Sequence, residues 1–221
     1  MRREIIKTAD GSVTIHLPEW NEQYHSKHGA ISEAVHVFID AGLHYYTEKH
    51  PNQSISILEI GFGTGLNAFL TLLESEKRDI KINYTGVEAY PIEAEEIEKL
   101  NYAEQANTKR TNFLALHISN WEEELNLNAN FNLTKRQQFF SEIKDVNSFD
   151  IIYFDAFGAR VQPDLWTESI FSSMYLALKE KGVLVTYAAK GSVRRAMQAV
   201  GFTVERLPGP PGKREMLRAV K

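Results

Sequence analysis

Residues 54–67 read SISILEIGFGTGLN and join a short β-branched apolar segment to three closely spaced glycines. Residues 54–60 predict a buried strand, and residues 66–78 predict a helix. A glycine-rich turn between a strand and a helix lies where the backbone approaches a ligand closely. The pattern therefore predicts an α/β fold with a ligand site at this turn.

The spacing of the glycines limits which ligand the turn can bind. A dinucleotide fingerprint, G-x-G-x-x-G, needs its third glycine where Leu66 stands, and a phosphate-binding P-loop needs a lysine that this turn lacks. Glu59 precedes the turn and would repel a pyrophosphate, whereas it could pair with the ammonium of an amino-acid moiety. S-adenosylmethionine carries such an ammonium and no phosphate.

A second acid supports an adenosine cofactor. The predicted strand 82–88 ends in Glu88, where a carboxylate can accept hydrogen bonds from both ribose hydroxyls. Strand, glycine turn, helix, second strand and terminal acid follow one another in the expected order. The predicted cofactor-binding residues are Glu59, Gly61, Phe62, Gly63, Thr64, Gly65, Asn67, Glu88, Ala89 and Asp155.

The remaining apolar segments complete the predicted sheet. Residues 149–154 and 182–187 predict further strands, and residues 124–134 predict a hairpin. Residues 202–207 and 215–220 flank a turn too short for a crossover helix, so these strands should be antiparallel. We expect a Rossmann-like class I S-adenosylmethionine-dependent methyltransferase fold, with a mostly parallel seven-stranded sheet and an antiparallel last strand.

Residues 1–50 do not fit this alternation of strands and helices. We expect them to form an N-terminal extension that covers the site, with residues 51–221 forming one compact Rossmann-like domain. The chain has 221 residues, of which 43% are hydrophobic and 24% charged, so it can bury a core.

Composition also limits the chemistry and the location. Because the chain has no cysteine, disulfides, thiolate nucleophiles and Cys-ligated metals are excluded, and a reducing, cytoplasmic compartment is expected. No apolar run approaches the 18 residues of a membrane span, and no signal peptide is expected. The seven histidines include no H-E-x-x-H pair, so we expect no metal.

The loop after the strand 149–154 carries the predicted chemistry. Methyl transfer to an amine needs a neutral nucleophile aligned with the methyl group, and a carboxylate can orient the amine and accept its surplus proton. We predict Asp155 and Phe157 as catalytic residues and Arg160 as a substrate-binding residue. In the alternative interpretation, Asp155 caps a turn, Phe157 belongs to the core and Arg160 is a surface cation.

Charge is distributed unevenly along the chain. Residues 179–221 contain ten Lys or Arg and three Asp or Glu, whereas residues 1–178 contain 15 and 26. This basic end could bind a polyanion, or it could be an ordinary solvated surface. The candidate contacts to nucleic acid are Lys190, Arg194, Arg195, Lys213 and Arg214.

Five motifs together resemble the methyltransferase domain of the MnmC family, the tRNA 5-methylaminomethyl-2-thiouridine biosynthesis proteins. They are GFGTGLN at 61–67, GVEAYPI at 86–92, YFDAF with PDLWT within 153–167, GSVRRA at 191–196 and GKREML at 212–217. The likeness extends over residues 8–220. It implies that S-adenosylmethionine is used to methylate the 5-aminomethyl group of the wobble uridine in the tRNA anticodon loop. Many members carry a flavin-dependent oxidase domain C-terminal to this one. The resemblance therefore allows for a separate oxidase partner.

The chain departs from the family at two places. Arg136-Gln137 stands near the adenine, where the family often has Gly-Asp, and Asp155-Ala-Phe-Gly-Ala replaces the common Asp-Gly-Phe-Ala-Pro. An unpaired wobble base could enter a pocket between aromatic faces such as Tyr24 and Phe157. Two other functions remain open: an N-methyltransferase of a small-molecule or protein amine, and a non-catalytic RNA-binding module.

Overall fold

The computed structural model describes residues 2–51 and 53–221. Near the N-terminus, three short strands pair antiparallel in the order β1 (Glu4–Lys7), β2 (Val13–Leu17), β3 (Glu22–Gln23). A continuous helical stretch follows, consisting of α1 (Ala30–Ala34), a π-helical segment (Val35–His44) and α2 (Tyr45–Lys49). This stretch packs on the large sheet and on the helix that follows the glycine turn.

The rest of the chain alternates strands and helices. Its first half comprises β4 (Ile55–Ile60), α3 (Leu66–Arg78), β5 (Ile82–Val87), α4 (Ala94–Ile97), α5 (Tyr102–Gln105), α6 (Arg110–Ile118), β6 (Glu124–Asn128) and β7 (Phe131–Arg136). Its second half comprises β8 (Phe149–Phe154), α7 (Glu168–Ala177), β9 (Leu178–Thr186), α8 (Gly191–Ala199), β10 (Thr203–Pro208) and β11 (Glu215–Val220). Short 3-10 turns cover Phe140–Glu142 and Pro163–Trp166.

The large sheet has the strand order β10-β11-β9-β8-β4-β5-β7-β6. The neighbours from β9 to β7 are parallel, and β11 is antiparallel to both β9 and β10. The predicted fold class is therefore confirmed. The sheet has eight strands, however, one more than the seven expected, because β6 of the predicted hairpin also joins it, antiparallel to β7 at the edge.

The central strands are buried on both faces, which explains their nearly continuous apolar sequences. In β4, Ile57 packs into one core, whereas Leu58 and Ile60 pack into the other. Every residue of β8 is buried. These two strands lie side by side, and their successors in the chain lie on opposite sides of them. Such a topological switch point opens a crevice at the carboxyl ends of the strands.

Within the two described ranges, no helix has both the length and the apolar character needed to cross a bilayer.

Candidate functional site

A cavity of about 1760 Å³ lies at the carboxyl ends of β4, β5 and β8. Pockets for a single small ligand usually measure roughly 300–1,000 Å³, so this cavity has room for a cofactor and part of a second substrate. Its walls come from the glycine turn, the loops after β5 and β8, the segment around β3 and the β10–β11 turn. The site therefore combines parts of the chain that are far apart in sequence.

The glycine turn is built for close packing between the cavity walls. Gly61 has a φ of +90°, and a Cβ atom there would lie 2.7 Å from the backbone oxygen of Asp155. Gly63 has a φ of +48°, and a Cβ there would lie 3.1 Å from the Tyr24 ring. A side chain at Gly61 would separate β4 from the loop that carries Asp155, because the atom it meets is backbone.

Asn67 connects the two acids nearest the turn. Its Nδ2 donates to Glu59 Oε1 over 2.9 Å and to Asp155 Oδ2 over 2.8 Å. Asn67 lies in the first turn of α3 and lines the cavity together with Asp155. Glu59 is fully buried and does not line the cavity, so it reaches a ligand there only through Asn67. This differs from the direct contact with a ligand ammonium that the sequence suggested.

Burial changes the protonation of both acids. It raises the pKa of Glu59 well above its ordinary value, although the Asn67 hydrogen bond opposes the shift. Burial also raises the pKa of Asp155 to about 7, again against the Asn67 bond. A carboxyl with a pKa near neutrality can accept and release a proton at physiological pH, which is the property required of a general base. Asp155 therefore has the protonation behaviour that proton transfer requires.

Backbone hydrogen bonds hold the Glu88 carboxylate next to the glycine turn. Its Oε2 accepts the N–H of Gly63 over 3.1 Å, and its Oε1 accepts the N–H of Tyr90 over 2.9 Å. A carboxylate has about four acceptor positions, so two remain for a ligand in the cavity. The half-buried carboxylate at the end of β5 is fixed in place and can accept bonds from a pair of ribose hydroxyls.

We expect Glu88→Ala to lower the affinity for S-adenosylhomocysteine about 10–100-fold, because charge-assisted hydrogen bonds to both ribose hydroxyls are lost. Isothermal titration calorimetry measures this directly. Glu95→Ala is the matched control, since Glu95 is an exposed acid on the same cavity wall and should leave the affinity unchanged. Equal affinity of the Glu88 variant and the wild type would exclude Glu88 from ribose binding.

Aromatic side chains form another part of the cavity wall, next to the turn. The Phe157 ring lies edge-on to Tyr24 at 5.0 Å and to Trp20 at 5.7 Å between ring centroids. Arg160 does not line the cavity; its Nη2 donates to the backbone oxygens of Trp20 and Asn21 and pairs with Glu22. Through Nη2, Arg160 therefore connects the loop after β8 to the segment before β3, outside the cavity where it was expected to bind substrate.

The other predicted residues divide between the cavity and the surface. Those that line the cavity are Tyr24, Gly61, Phe62, Gly63, Thr64, Asn67, Glu88, Ala89, Asp155, Phe157 and Lys213. Gly65 lies behind the turn, where a Cβ would be 3.1 Å from His117 Nε2. Lys190, Arg194, Arg195 and Arg214 lie outside the cavity. At the adenine end, Gln137 lines the cavity, whereas Arg136 pairs with Asp145 over 2.8 Å.

Sequence reasoning missed Glu33 and Tyr187. Glu33 lies in α1, far from every motif in the chain, and Tyr187 immediately follows β9. Both line the cavity beside Asp155. Tyr187 could have been found from its position, since it follows a parallel strand at the carboxyl edge of the sheet. No local pattern singled out Glu33 among the residues of the expected N-terminal extension.

The cavity fits S-adenosylmethionine better than a phosphate-bearing nucleotide. Among its charged lining residues, eight are Asp or Glu and four are Lys or Arg. Among the described residues, buried Asn67 Oδ1 has no hydrogen-bond partner, which leaves an acceptor for the ammonium of an amino-acid moiety. Two of the four cations, Arg3 and Lys213, are paired with Glu96 and Glu33. The net negative lining favours a cationic ligand and disfavours a pyrophosphate.

Comparison with known proteins agrees with this geometry. Residues 93–221 match the family model described as S-adenosyl-L-methionine-dependent methyltransferase. The chain belongs to this family, and S-adenosylmethionine is its cofactor.

More specifically, the chain is related to MnmC proteins. It is 29% identical over 210 residues to the tRNA 5-methylaminomethyl-2-thiouridine biosynthesis bifunctional protein MnmC of Hydrogenovibrio crunogenus, and 30% identical over 213 residues to that of Leptospira borgpetersenii. These alignments cover 89% and 90% of this chain but 31% and 32% of the relatives. The chain thus spans about a third of the length of these curated relatives.

Solved structures show the same relationship. The crystal structure of MNMC2 from Aquifex aeolicus matches with a TM-score of 0.79 and 26% identity, covering 99% of this chain and 69% of that one. Spermidine synthase from Thermotoga maritima matches with a TM-score of 0.59 at 19% identity, covering 99% of this chain and 68% of that one. The second match shows a shared fold alone.

Proposed function

We propose that the chain methylates the 5-aminomethyl group of a wobble uridine in tRNA, with S-adenosylmethionine as methyl donor. The observation that carries the proposal is the Asp155 carboxyl, which is held by Asn67 inside the cavity and has a pKa of about 7. The relatives are named for the biosynthesis of tRNA 5-methylaminomethyl-2-thiouridine, and a primary amine is the acceptor that a carboxylate base suits.

Asp155 prepares the acceptor nitrogen in this mechanism. A primary alkyl ammonium must lose one proton before its nitrogen can act as a nucleophile, and the ionised Asp155 carboxylate accepts that proton. When bound, S-adenosylmethionine supplies a methyl group on a positively charged sulfur. The nitrogen lone pair forms the new bond to the methyl carbon, and the electron pair of the broken carbon–sulfur bond remains on sulfur. The product leaves as a secondary ammonium, and Asp155 returns its proton to water.

Alignment supplies much of the expected rate. Asn67 fixes one Asp155 oxygen over 2.8 Å, so the carboxylate does not have to be ordered when the acceptor arrives. Phe157, with Tyr24 and Trp20 at its edges, offers an aromatic wall against which a pyrimidine can pack. A wobble base is unpaired, so its entry into the cavity costs little unstacking.

The basic C-terminal part provides the surface for the RNA backbone. Lys190 directly precedes α8 on the carboxyl side of β9, and Arg214 adjoins Lys213 in the β10–β11 turn, so both lie near the edge of the sheet that holds the cavity. Lys190, Arg195 and Arg214 are exposed. Arg194 is half-buried, and its Nε has no partner in the part of the chain that the structure describes. Exposed cations at the mouth of a nucleoside site can neutralise phosphates and orient the RNA.

We expect Lys190→Glu combined with Arg195→Glu to weaken tRNA binding at least about tenfold. The slope of log affinity against log salt concentration should also fall by the amount that about two phosphate contacts contribute. Filter binding at several salt concentrations measures both. Lys81→Glu combined with Lys181→Glu is the matched control, because these exposed lysines lie toward the amino ends of β5 and β9. If the control loses as much affinity as the test variant, binding does not use this face.

A methyltransferase of a small-molecule amine is the second candidate, favoured by the depth of the cavity and its acidic lining. Competition separates the two functions. Methyl transfer to undermodified tRNA is measured with and without an excess of simple primary amines and of fully modified tRNA. Inhibition by the tRNA alone supports the proposed function, whereas efficient methylation of the free amines supports the alternative.

A further inference from the structure

An ion pair links the two ends of the chain at the cavity wall. Lys213 Nζ lies 2.6 Å from Glu33 Oε1, although 180 residues separate them. Glu33 Oε2 accepts the backbone N–H of Ser26 over 2.7 Å, and Glu33 is only 7% exposed. The Lys213 ammonium also lies 3.8 Å from the centroid of the Tyr187 ring. The pair is thus held in one place by three separate segments.

This pair adjoins the loop that carries Asp155. The Tyr187 hydroxyl donates to the backbone oxygen of Ala156, the residue after Asp155, over 2.9 Å. Glu33, Tyr187, Lys213 and Asp155 line the same cavity. The ion pair therefore lies in the cavity wall beside the proposed base.

The charges that face Asp155 come from several elements. Glu33 raises the pKa of Asp155, and Lys213 lowers it. Asn67 contributes a hydrogen bond without a charge and also binds Glu59, whose pKa burial raises well above its ordinary value. Two further acids act on this group, since Glu22 raises the pKa of Tyr187 and Glu88 raises that of Glu59. Burial lowers the pKa of His25 to about 4, so His25 is neutral at pH 7, and raises those of Tyr84 and Tyr187 well above their ordinary value.

We propose that Glu33 and Lys213 are positioning residues for the acceptor amine: Glu33 provides a second carboxylate that attracts the amine in its ammonium form, and Lys213 fixes that carboxylate and offsets its charge. The inference rests on the proposed function for the identity of the acceptor. It adds to that function a charge requirement for the acceptor, which must carry one positive charge.

Charge balance is the physical reason for the pair. A primary alkyl amine has a pKa close to that of lysine, about 10.4, so it arrives protonated and needs a counter-charge in a desolvated cavity. Asp155 and Glu33 ionised, together with Lys213, carry one net negative charge, which matches one ammonium. Without Lys213, the charge of Glu33 would raise the pKa of Asp155 further, so less of the base would be ionised at neutral pH.

The test compares Glu33→Gln with Lys213→Met, which break the same ion pair from opposite sides. Carbon-detected NMR titration of the Asp155 carboxyl in the cofactor-free protein should give a lower pKa in Glu33→Gln and a higher pKa in Lys213→Met than in the wild type. A merely structural role would give both variants the same shift, or none. Glu33→Asp, which keeps the charge, should return the pKa toward that of the wild type.

Kinetics test the recruitment of the amine. With undermodified tRNA, Glu33→Gln should raise KM about tenfold, the effect of about 1.4 kcal/mol of lost binding free energy, while kcat above pH 8 changes less than KM. Shifts of the Asp155 pKa in the same direction, or an unchanged KM, would overturn the proposal. Because the titration needs no tRNA, it tests the effect of the pair on Asp155 separately from the proposed function, whereas the KM tests the recruitment of the amine.

Discussion

Asp155→Ala is expected to lower the rate of methyl transfer about 10²–10⁴-fold, the usual contribution of a positioned general base. The variant removes the only atoms proposed to accept the ammonium proton, while Asn67 keeps its bond to Glu59 over 2.9 Å. Affinity for S-adenosylhomocysteine should therefore stay within about threefold of the wild type. Single-turnover kinetics with excess enzyme measure the chemical step, and calorimetry measures the affinity.

Stability provides the control for this variant. The Asp155 carboxyl ionises near 3.8 in the unfolded chain and near 7 in the folded protein, so raising the pH between these values favours unfolding. Asp155→Asn, which cannot ionise, should be at least as stable as the wild type at pH 8 and as inactive as the alanine variant. A variant of normal stability that retains the wild-type rate would remove Asp155 from the mechanism.

Gly61→Ala is expected to have the second largest effect, because the new methyl group meets backbone. Its Cβ would lie 2.7 Å from the Asp155 carbonyl oxygen, and Gly61 has a φ of +90°. Next to it, the Asp155 N–H donates to the Ile60 oxygen over 2.9 Å, so the strand ends cannot separate without losing that bond. We expect a loss of about 1–3 kcal/mol in the free energy of unfolding and a loss of about 100-fold in cofactor affinity.

Gly191→Ala is the matched control for the glycine substitution. Gly191 is the first residue of α8, and the nearest atom to a Cβ there is the flexible guanidinium end of Arg195, at 3.2 Å. Its free energy of unfolding should change by less than about 0.5 kcal/mol. Urea denaturation of both variants gives the comparison. If Gly61→Ala unfolds and binds cofactor like the control, the close packing at the turn does not form the site.

The sequence predicted the central strands well because their signal is local. The apolar residues 149–154 form β8 with the predicted bounds, and residues 66–78 form α3 as expected. Glycine spacing and the acid after β5 also led to residues that the fold brings together, since Gly61, Glu88 and Asp155 line one cavity. Carboxyl ends of neighbouring parallel strands meet at one edge, so these contacts follow from the strand order.

Other features depend on contacts that no local pattern records. One edge of β7 pairs with β5, and β6 pairs with its other edge, which makes β6 a strand of the sheet. Glu59 stands next to the turn, yet its side chain is buried beneath Asn67. Arg160 donates hydrogen bonds to the backbone oxygens of Trp20 and Asn21, about 140 residues away in the chain. The contact of Glu33 with Lys213 likewise arises only when the two ends of the chain fold against the same cavity.

The reaction itself tests the proposed function most directly. Purified protein and S-adenosylmethionine are incubated with tRNA that carries 5-aminomethyl-2-thiouridine at the wobble position, and the nucleosides are then analysed by mass spectrometry. With the wild type this nucleoside should gain one methyl group, and with Asp155→Ala it should do so about 10²–10⁴-fold more slowly. Two results would contradict the proposed function. One is an unchanged wobble nucleoside in the presence of folded, cofactor-bound wild-type protein, and the other is a methyl group on a different nucleoside.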